Sequence, residues 1–578
     1  MSLLNKYNFS PLVVMRTPAY AYSDYNNCDA ALSHLLKDHF FRYAIMLASS
    51  SVYASLEHAD FDYDKLDCKI KLTLRKYYNR MSLRCTPFGL FAGVSTARWG
   101  ERPSLLFDDQ PYPKIIYSFE HILASSKKYL RSPLKYLIML KVNDTLYSVK
   151  DTFRFLRFEL PRENTFKRVF YLQEVKTTSA LRAIMDYSQN SRSMADLARF
   201  VSDSFHTDRD ESMNFVDELV ALQLLLPELQ PNVIDKAYLD TLSAGQINSG
   251  LYLPRSNDPA HSKGEWQGQA GTEGECLKPE TCGKSKYYAH LNFKSAGNIL
   301  DSKIQQQITE ALFCLNRLVP AIQPAGLQKF ADAFGEKFDR QAVPLLEAVD
   351  PEIGVGYQGM ASVPASSYLL QNMTIAAKAN AGHSLEWTPV HNLLLKKMQE
   401  RDKTDSAGII YITPGDLEHL PVSGVTDAHP NSTSVIFRIM KDALYIESAG
   451  GVTATALLAR FSLFDDNIRQ HCRDIALLTQ QANPDVLFAE INHFCDGHTA
   501  NIARKKQIWD WEIPILCSSS LPENRQLPLS DLYIKMVDGR IILWSERLQK
   551  AVIPVLTSAY NYTHNDLAVF RLLCDLQH

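Results

Sequence analysis

Arg80, Arg84 and Thr86 stand in the string Arg80-Met-Ser-Leu-Arg84-Cys-Thr86-Pro87-Phe88-Gly89-Leu90-Phe91-Ala92-Gly93. It combines guanidinium groups, a hydroxyl and a backbone suited to a turn. The run that ends in it, from Lys69 to Arg84, carries Lys69, Lys71, Arg75, Lys76, Arg80 and Arg84 and no Asp or Glu. Lys76, Arg80 and Arg84 are four apart, so on a helix they form one stripe drifting by about 40° per step. Pro87 stops the helix and pushes Thr86 into an extended conformation. Gly89 and Gly93 allow the backbone a tight path. A cationic helix face therefore leads into a rigid turn that presents a hydroxyl. This suits a polyanion ending in a reactive group. A solvated basic helix followed by an ordinary loop has the same composition.

The same string closely resembles the signature of the lantibiotic dehydratase N-terminal (glutamylation) domain family. Pro11-Leu-Val-Val-Met-Arg16-Thr-Pro18 resembles its first Arg-x-Pro strand, and the block from Leu327 to Tyr357 is similar to its central "V-P-L-L-E" region. Weaker likenesses follow in order at Ala459-Arg460-Phe461, Ala489-Glu490-Ile491, Asn501 to Arg504, Ser530-Asp531-Leu532, and Ile553 to Leu573.

The resemblance implies transfer of glutamate from glutamyl-tRNA to Ser or Thr side chains of a ribosomally made precursor peptide. One ester replaces another. The step implied needs no cofactor, with glutamyl-tRNA as co-substrate, and relies on positioning and charge stabilisation. The likeness matches Arg16, Arg80, Arg84, Thr86 and Arg460 to positions the family uses for glutamylation; on that basis we assign Arg84, Thr86, His290 and Arg460 to catalysis and Arg16, Lys76 and Arg80 to the tRNA. Where this chain reads Tyr288-Ala-His290-Leu-Asn292, the family usually has an acidic residue, so His290 is either a base near neutral pH or a mark of impaired transfer. The family's full enzymes continue past Phe570-Arg-Leu-Leu-Cys-Asp-Leu-Gln577 into an elimination domain. A split-gene product that needs a partner and a truncated remnant both fit that length. The implied partners are the precursor peptide, glutamyl-tRNA, a separate elimination-domain protein and a cyclase, with a homodimer left open. Two other readings compete: a related ligase that adds an amino acid from aminoacyl-tRNA to a peptide, and a non-catalytic peptide-binding scaffold.

The elements that must position these residues read as an α+β chain of several subdomains, with mixed sheets and helices. At 578 residues there is room for about four domains. A net charge of −3 requires any nucleic-acid partner to meet a local patch. The ten cysteines contain no C-x-x-C pair and read as reduced thiols of a cytoplasmic protein. Cys276 and Cys282 have poor zinc spacing, and His493-x-Cys495-x-x-His498 lacks a second cluster, so no metal site is expected. No signal pattern and no apolar run of membrane length are present.

Residues 1–143 form the N-terminal α/β part, with extended segments near 10–17 and 91–99 and helices near 29–49 and 64–84. Residues 144–230 read as a winged-helix-like element. Strands lie near Tyr147, Thr152 to Phe158 and Arg168 to Leu172, three helices span 178–188, 194–205 and 211–224, and a closing strand begins at Leu225. Its third helical region carries Asp208, Asp210, Glu211, Asp217 and Glu218, which would repel DNA. The family resemblance implies instead that this element adds a leader peptide to its sheet edge, at Val169, Phe170, Tyr171 and Leu172. Residues 231–286 read as linker and flexible insertion. Residues 287–578 complete the α/β part, with helices at 300–317, 325–338, 389–400 and 464–480. Strands are expected there at 287–293, 408–412, 434–439, 443–447, 486–491, 532–536 and 540–544.

Overall fold

The computed structural model describes residues 7–22, 28–106, 111–130, 133–159, 168–228, 230–234, 287–293, 297–319, 324–357, 387–400, 409–418, 420, 430–440, 443–451, 453–494 and 496–577. Of the linker and insertion expected at 231–286, residues 235–286 lie outside them, as do Cys276, Cys282 and Cys495. The chain is a mixed α/β protein built on several sheets.

The first sheet runs in the order Leu12–Pro18, Gly89–Gly100, Tyr287–Asn292, Tyr112–Tyr117, and Ile299–Asp301 pairs with the far end of Gly89–Gly100. Its central strand is buried from Leu90 to Ala97. Leu90 and Phe91 face a core formed with the helices Cys28–Leu35, His39–Ala48, Ser50–His58 and Cys68–Leu83. Val94 joins a separate core with Phe461, Ile468 and Cys472. The helix starts at His39 and Cys68 show a local cause. Asp38 accepts from the amides of Phe40 and Phe41, which opens a new helix inside the expected 29–49 span. Asp67 accepts from Lys69 and Ile70 at 2.7 and 2.9 Å, so the cationic helix begins at Cys68 rather than near 64. Leu74, Tyr78 and Met81 are its buried stripe, and Lys69, Lys76 and Arg84 are exposed.

The second sheet runs Val343–Pro344, Leu532–Val537, Arg540–Ser545, Lys550–Val555, Val486–Asn492, Glu512–Pro514. Its core includes Phe334, Leu345, Ile491, Ile513, Ile534, Leu543 and the Ala568–Asp575 helix.

Two small sheets interrupt the first in sequence, between Tyr112–Tyr117 and Tyr287–Asn292. The meander Tyr147–Val149, Thr152–Glu159, Val169–Lys176 has Val169–Lys176 on its outside. The other runs Arg192–Ser193, Met139–Val142, Leu225–Pro227. The helices Ser179–Tyr187, Met194–Phe205 and Arg209–Ala221 open on Thr178, Ser193 and Asp208 caps and supply Leu181, Ile184, Leu197 and Val216 to one core. The closing strand therefore pairs with Met139–Val142, which precedes the boundary drawn at 143/144. Arg154 pins the meander to a distant turn: it bonds Glu174, Asp350 and Glu352 at 2.7, 2.9 and 2.6 Å.

Some expectations need correction. Residues 409–413 are not a strand but lead into the helix Pro414–Glu418, where Asp416 accepts from the amide and hydroxyl of Thr413. The helix expected from 300 is preceded by the strand Ile299–Asp301 and starts at Lys303. Tyr112–Tyr117, Phe119–Leu130 and Lys550–Val555 were not expected as elements. Two of these strands contain proline. Pro113 sits on an edge strand, and Pro554 lies beyond Val552, the last residue of its strand paired with Arg540–Ser545. In both places a missing N–H is tolerated. Among the described residues, no helix is long and apolar enough to cross a membrane.

Candidate functional site

Arg16 lies in mid-strand opposite Val94 and is half-buried. Its guanidinium sits 5.5 Å from the centroid of the Phe461 ring. Arg460 approaches the same ring at 5.0 Å from the adjoining 3-10 turn Ala459–Leu463. The two cations share one neighbourhood, and burial followed by Arg460 lowers the proton affinity of Arg16. Arg460 Nη2 donates to the Pro87 carbonyl at 3.5 Å and to the Tyr288 hydroxyl at 3.4 Å. It thereby ties the turn after the cationic helix to the strand Tyr287–Asn292.

That turn is built as its residues require. Arg84 ends the helix in an extended conformation, φ −118° and ψ 121°. Arg84 and Thr86 are exposed, Cys85 is half-buried and Pro87 is buried. Gly89 has φ +53°, which favours glycine. Gly93 allows a close approach, since a Cβ there would meet the Leu291 carbonyl oxygen at 2.7 Å. Arg80 lies over the Phe88 ring, 4.2 Å from its centroid. Burial and then Arg84 lower the proton affinity of Arg80. Lys76 is one turn further back on the helix, exposed.

His290 forms the floor. It pairs with Gly89 on one side and Lys114 on the other and is only 2% exposed. Its ring stacks on Phe464 with centroids 4.5 Å apart and meets Phe461 at 5.3 Å. Burial, then Arg460 and Lys114, push its pKa down to about 3. Nε2 has no hydrogen-bond partner among the described residues. At neutral pH His290 is therefore an uncharged ring with little affinity for a proton, which weakens the reading of it as a general base. Lys114 Nζ and Asn292 Nδ2 both donate to the Phe464 carbonyl and hold that ring in place.

Sequence reasoning missed several neighbours. Glu447 is the extra residue of a β-bulge, because Ile436 pairs with Ser448 and Phe437 with Ile446. It is ion-paired with Arg438. Burial raises the Cys85 thiol, whose charged neighbours are Arg438, Glu447 and Arg16. A bulge re-aims a side chain and often borders a site, but a single sequence does not reveal one.

The remaining expected residues are elsewhere. Phe170 is buried in the core of the second sheet, 5.6 Å from the His493 ring, while Val169 and Leu172 are half-buried and Tyr171 is exposed. Among the described residues, no strand pairs with the outer edge of Val169–Lys176. Two late motif residues lie away from the arginine turn: Glu490 faces Lys505 Nζ at 3.2 Å with both fully buried, and Asn501 donates to Glu120 at 2.8 Å. Among the described residues, no group of three His, Cys, Asp or Glu side chains is placed to hold a metal.

The cluster can bind an anion at the helix and stabilise negative charge beside the turn. Guanidinium groups suit both tasks, since they stay charged and offer forked donors.

Comparison with known proteins places this geometry in a family. The chain is 22% identical over 604 residues to the epidermin biosynthesis protein EpiB of Staphylococcus epidermidis, covering 96% of this chain and 56% of that protein. It is 22% identical over 361 residues to the subtilin biosynthesis protein SpaB of Bacillus subtilis, covering 59% and 34%. The fold superposes on the tRNA-dependent lantibiotic dehydratase MibB from Microbispora sp. 107891 with a TM-score of 0.75 at 19% identity, over 98% of this chain and 56% of that one. The glutamylation domain of TbtB, from thiomuracin biosynthesis, gives 0.60 at 15% identity, over 95% and 69%. The chain thus spans about half the length of EpiB and MibB. The profile of the family "Lantibiotic dehydratase, N terminus" matches residues 37–578, nearly the whole chain including the arginine turn, and the chain belongs to that family.

Proposed function

We propose that this protein transfers the glutamyl group from glutamyl-tRNA to Ser and Thr side chains of a ribosomally made precursor peptide, in lanthipeptide-type biosynthesis. The observation that carries this reading is the meeting of Arg16 and Arg460 with the Cys85–Phe88 turn at the foot of an exposed cationic helix. In the reaction a peptide hydroxyl oxygen attacks the ester carbonyl, and the tRNA ribose oxygen leaves and takes up a proton. Lys76 and Arg80 hold phosphates of the acceptor end, and Arg16 adds charge behind them. Arg84, Thr86 and Arg460 lie where the ester would be and stabilise the tetrahedral oxyanion. His290 supports the site as a neutral packed ring. The outer edge of Val169–Lys176, within a winged-helix-like unit, takes up the leader peptide as an added strand. Charged tRNA places the work in the cytoplasm, and elimination falls to a further domain or partner. The test is single-turnover transfer by Arg84→Lys and Arg460→Lys variants. Lysine keeps the charge but not the fork, so each variant should slow transfer by about 10²–10³-fold. Wild-type rates in both would remove the arginines from the chemistry.

One observation favours a second reading, a peptide-binding scaffold: His290, with a pKa near 3, stands where relatives of this family are expected to carry an acid. Tight binding of tRNA and peptide with no transfer would support it.

A further inference from the structure

Phe88 lies inside the arginine turn, yet the transfer as proposed gives it no task. It is 45% exposed although the residue before it is buried. The ring is not loose. Phe91, itself buried, meets it at 5.6 Å with 56° between the planes and leans in turn on Tyr77 at 5.2 Å. The Arg80 guanidinium lies 4.2 Å from its centroid. Arg80 Nε is buried without a hydrogen-bond partner among the described residues, so the cation rests on the ring. The surrounding helix surface carries Lys76 and Arg84 and the exposed Leu83. A large aromatic ring held rigidly at a cationic surface, with a guanidinium on it, has the parts used to bind single-stranded nucleic acid: charge for the backbone and a flat apolar face for a base.

We propose that Phe88 is the stacking platform for an unpaired base at the 3′ end of the tRNA acceptor, with Arg80 bracing the ring and reaching the neighbouring phosphate. This rests on the transfer reading above and adds a positioning residue to it. A base on Phe88 fixes the terminal ribose beside Thr86 and Arg84 and near Arg460, which bonds the Pro87 carbonyl next to Phe88. Stacking tolerates any base, so Phe88 sets the position of the ester and not which tRNA is chosen.

The test is binding of the full chain to uncharged tRNA and to the same tRNA trimmed of its unpaired 3′ end, across a salt series. Phe88→Ala should weaken binding of intact tRNA by roughly 5- to 150-fold without changing the log–log salt slope, because no charge is removed. Phe88→Trp should restore or tighten it. Trimmed tRNA should bind wild type and Phe88→Ala equally. Arg80→Ala should lower the slope by up to about one unit. If Arg80→Ala and Lys76→Ala weaken binding while Phe88→Ala does not, the platform is wrong and the tRNA reading survives. If none of the three has an effect, the tRNA reading fails as well. Equal loss for intact and trimmed tRNA, or loss of peptide affinity alone, would also overturn the platform.

Discussion

Replacing His290 by Phe keeps an aromatic ring against Phe464 and removes a titrating group. Folded His290 has a pKa near 3, against 6.5 for the ordinary side chain. Between these values the unfolded chain binds a proton that the folded chain does not, so wild-type stability falls as pH drops below 6.5 and is unaffected above it. The slope is about 1.4 kcal/mol per pH unit, which amounts to about 1.4 kcal/mol lost at pH 5.5 and about 2.7 at pH 4.5. The group is almost fully buried, so little solvent screening reduces this. His493, also pushed down to about 3 by burial, adds its own share in the second sheet. Equilibrium urea unfolding of wild type, His290→Phe and His493→Phe between pH 7.5 and 4.5 measures the difference. Each variant should lose stability on acidification less steeply than wild type by about 1.4 kcal/mol per pH unit. At pH 7.5 His290→Phe should change stability by about 1.5 kcal/mol or less, and His493→Phe should cost about 1–3 kcal/mol more because the buried Ile515 carbonyl loses the His493 Nδ1 donor. Parallel curves for wild type and His290→Phe would refute the burial argument and return His290 to the list of groups that titrate near neutrality.

Gly93→Ala drives a Cβ to 2.7 Å from both the Leu291 oxygen and Phe293 Cε2; calorimetry should show a loss of about 1–3 kcal/mol. Arg154→Ala leaves the Asp350 side chain, 0% exposed, without its cation, and chemical denaturation should show a cost of about 3–5 kcal/mol. Prolines placed at alternate positions along Val169–Lys176 should abolish leader-peptide binding where the N–H faces outward, with the thermal midpoint kept; peptide affinity surviving at every position would place the peptide elsewhere.

The cationic helix was legible because its signals are local: a periodic buried stripe, an Asp at the start and a proline just beyond the end. The strands Leu12–Pro18 and Gly89–Gly100 match the extended segments expected near 10–17 and 91–99. The assembled site was not. Arg460 reaches Pro87 across 373 residues, and Tyr287–Asn292 enters between two strands that precede it by well over a hundred positions. No periodicity encodes such pairings. The family likeness named Arg16, Arg84, Thr86 and Arg460 before the geometry did, and the structure brings Arg16 and Arg460 together against Phe461. It could not show that His290 is sealed between two phenylalanines, since burial depends on Phe461 and Phe464 arriving from a distant segment. The strands carrying Pro113 and Pro554 escaped notice because proline argues against a strand until it is known that Pro113 lies on an edge strand and that Pro554 lies past the pairing with Arg540–Ser545.

The most direct measurement is mass spectrometry of a Ser- and Thr-containing precursor peptide after incubation with this protein and glutamyl-tRNA. The account predicts a glutamyl mass addition on Ser or Thr side chains that depends on the charged tRNA and is largely lost in Arg84→Lys. Confirmed binding of both substrates with no adduct would contradict it.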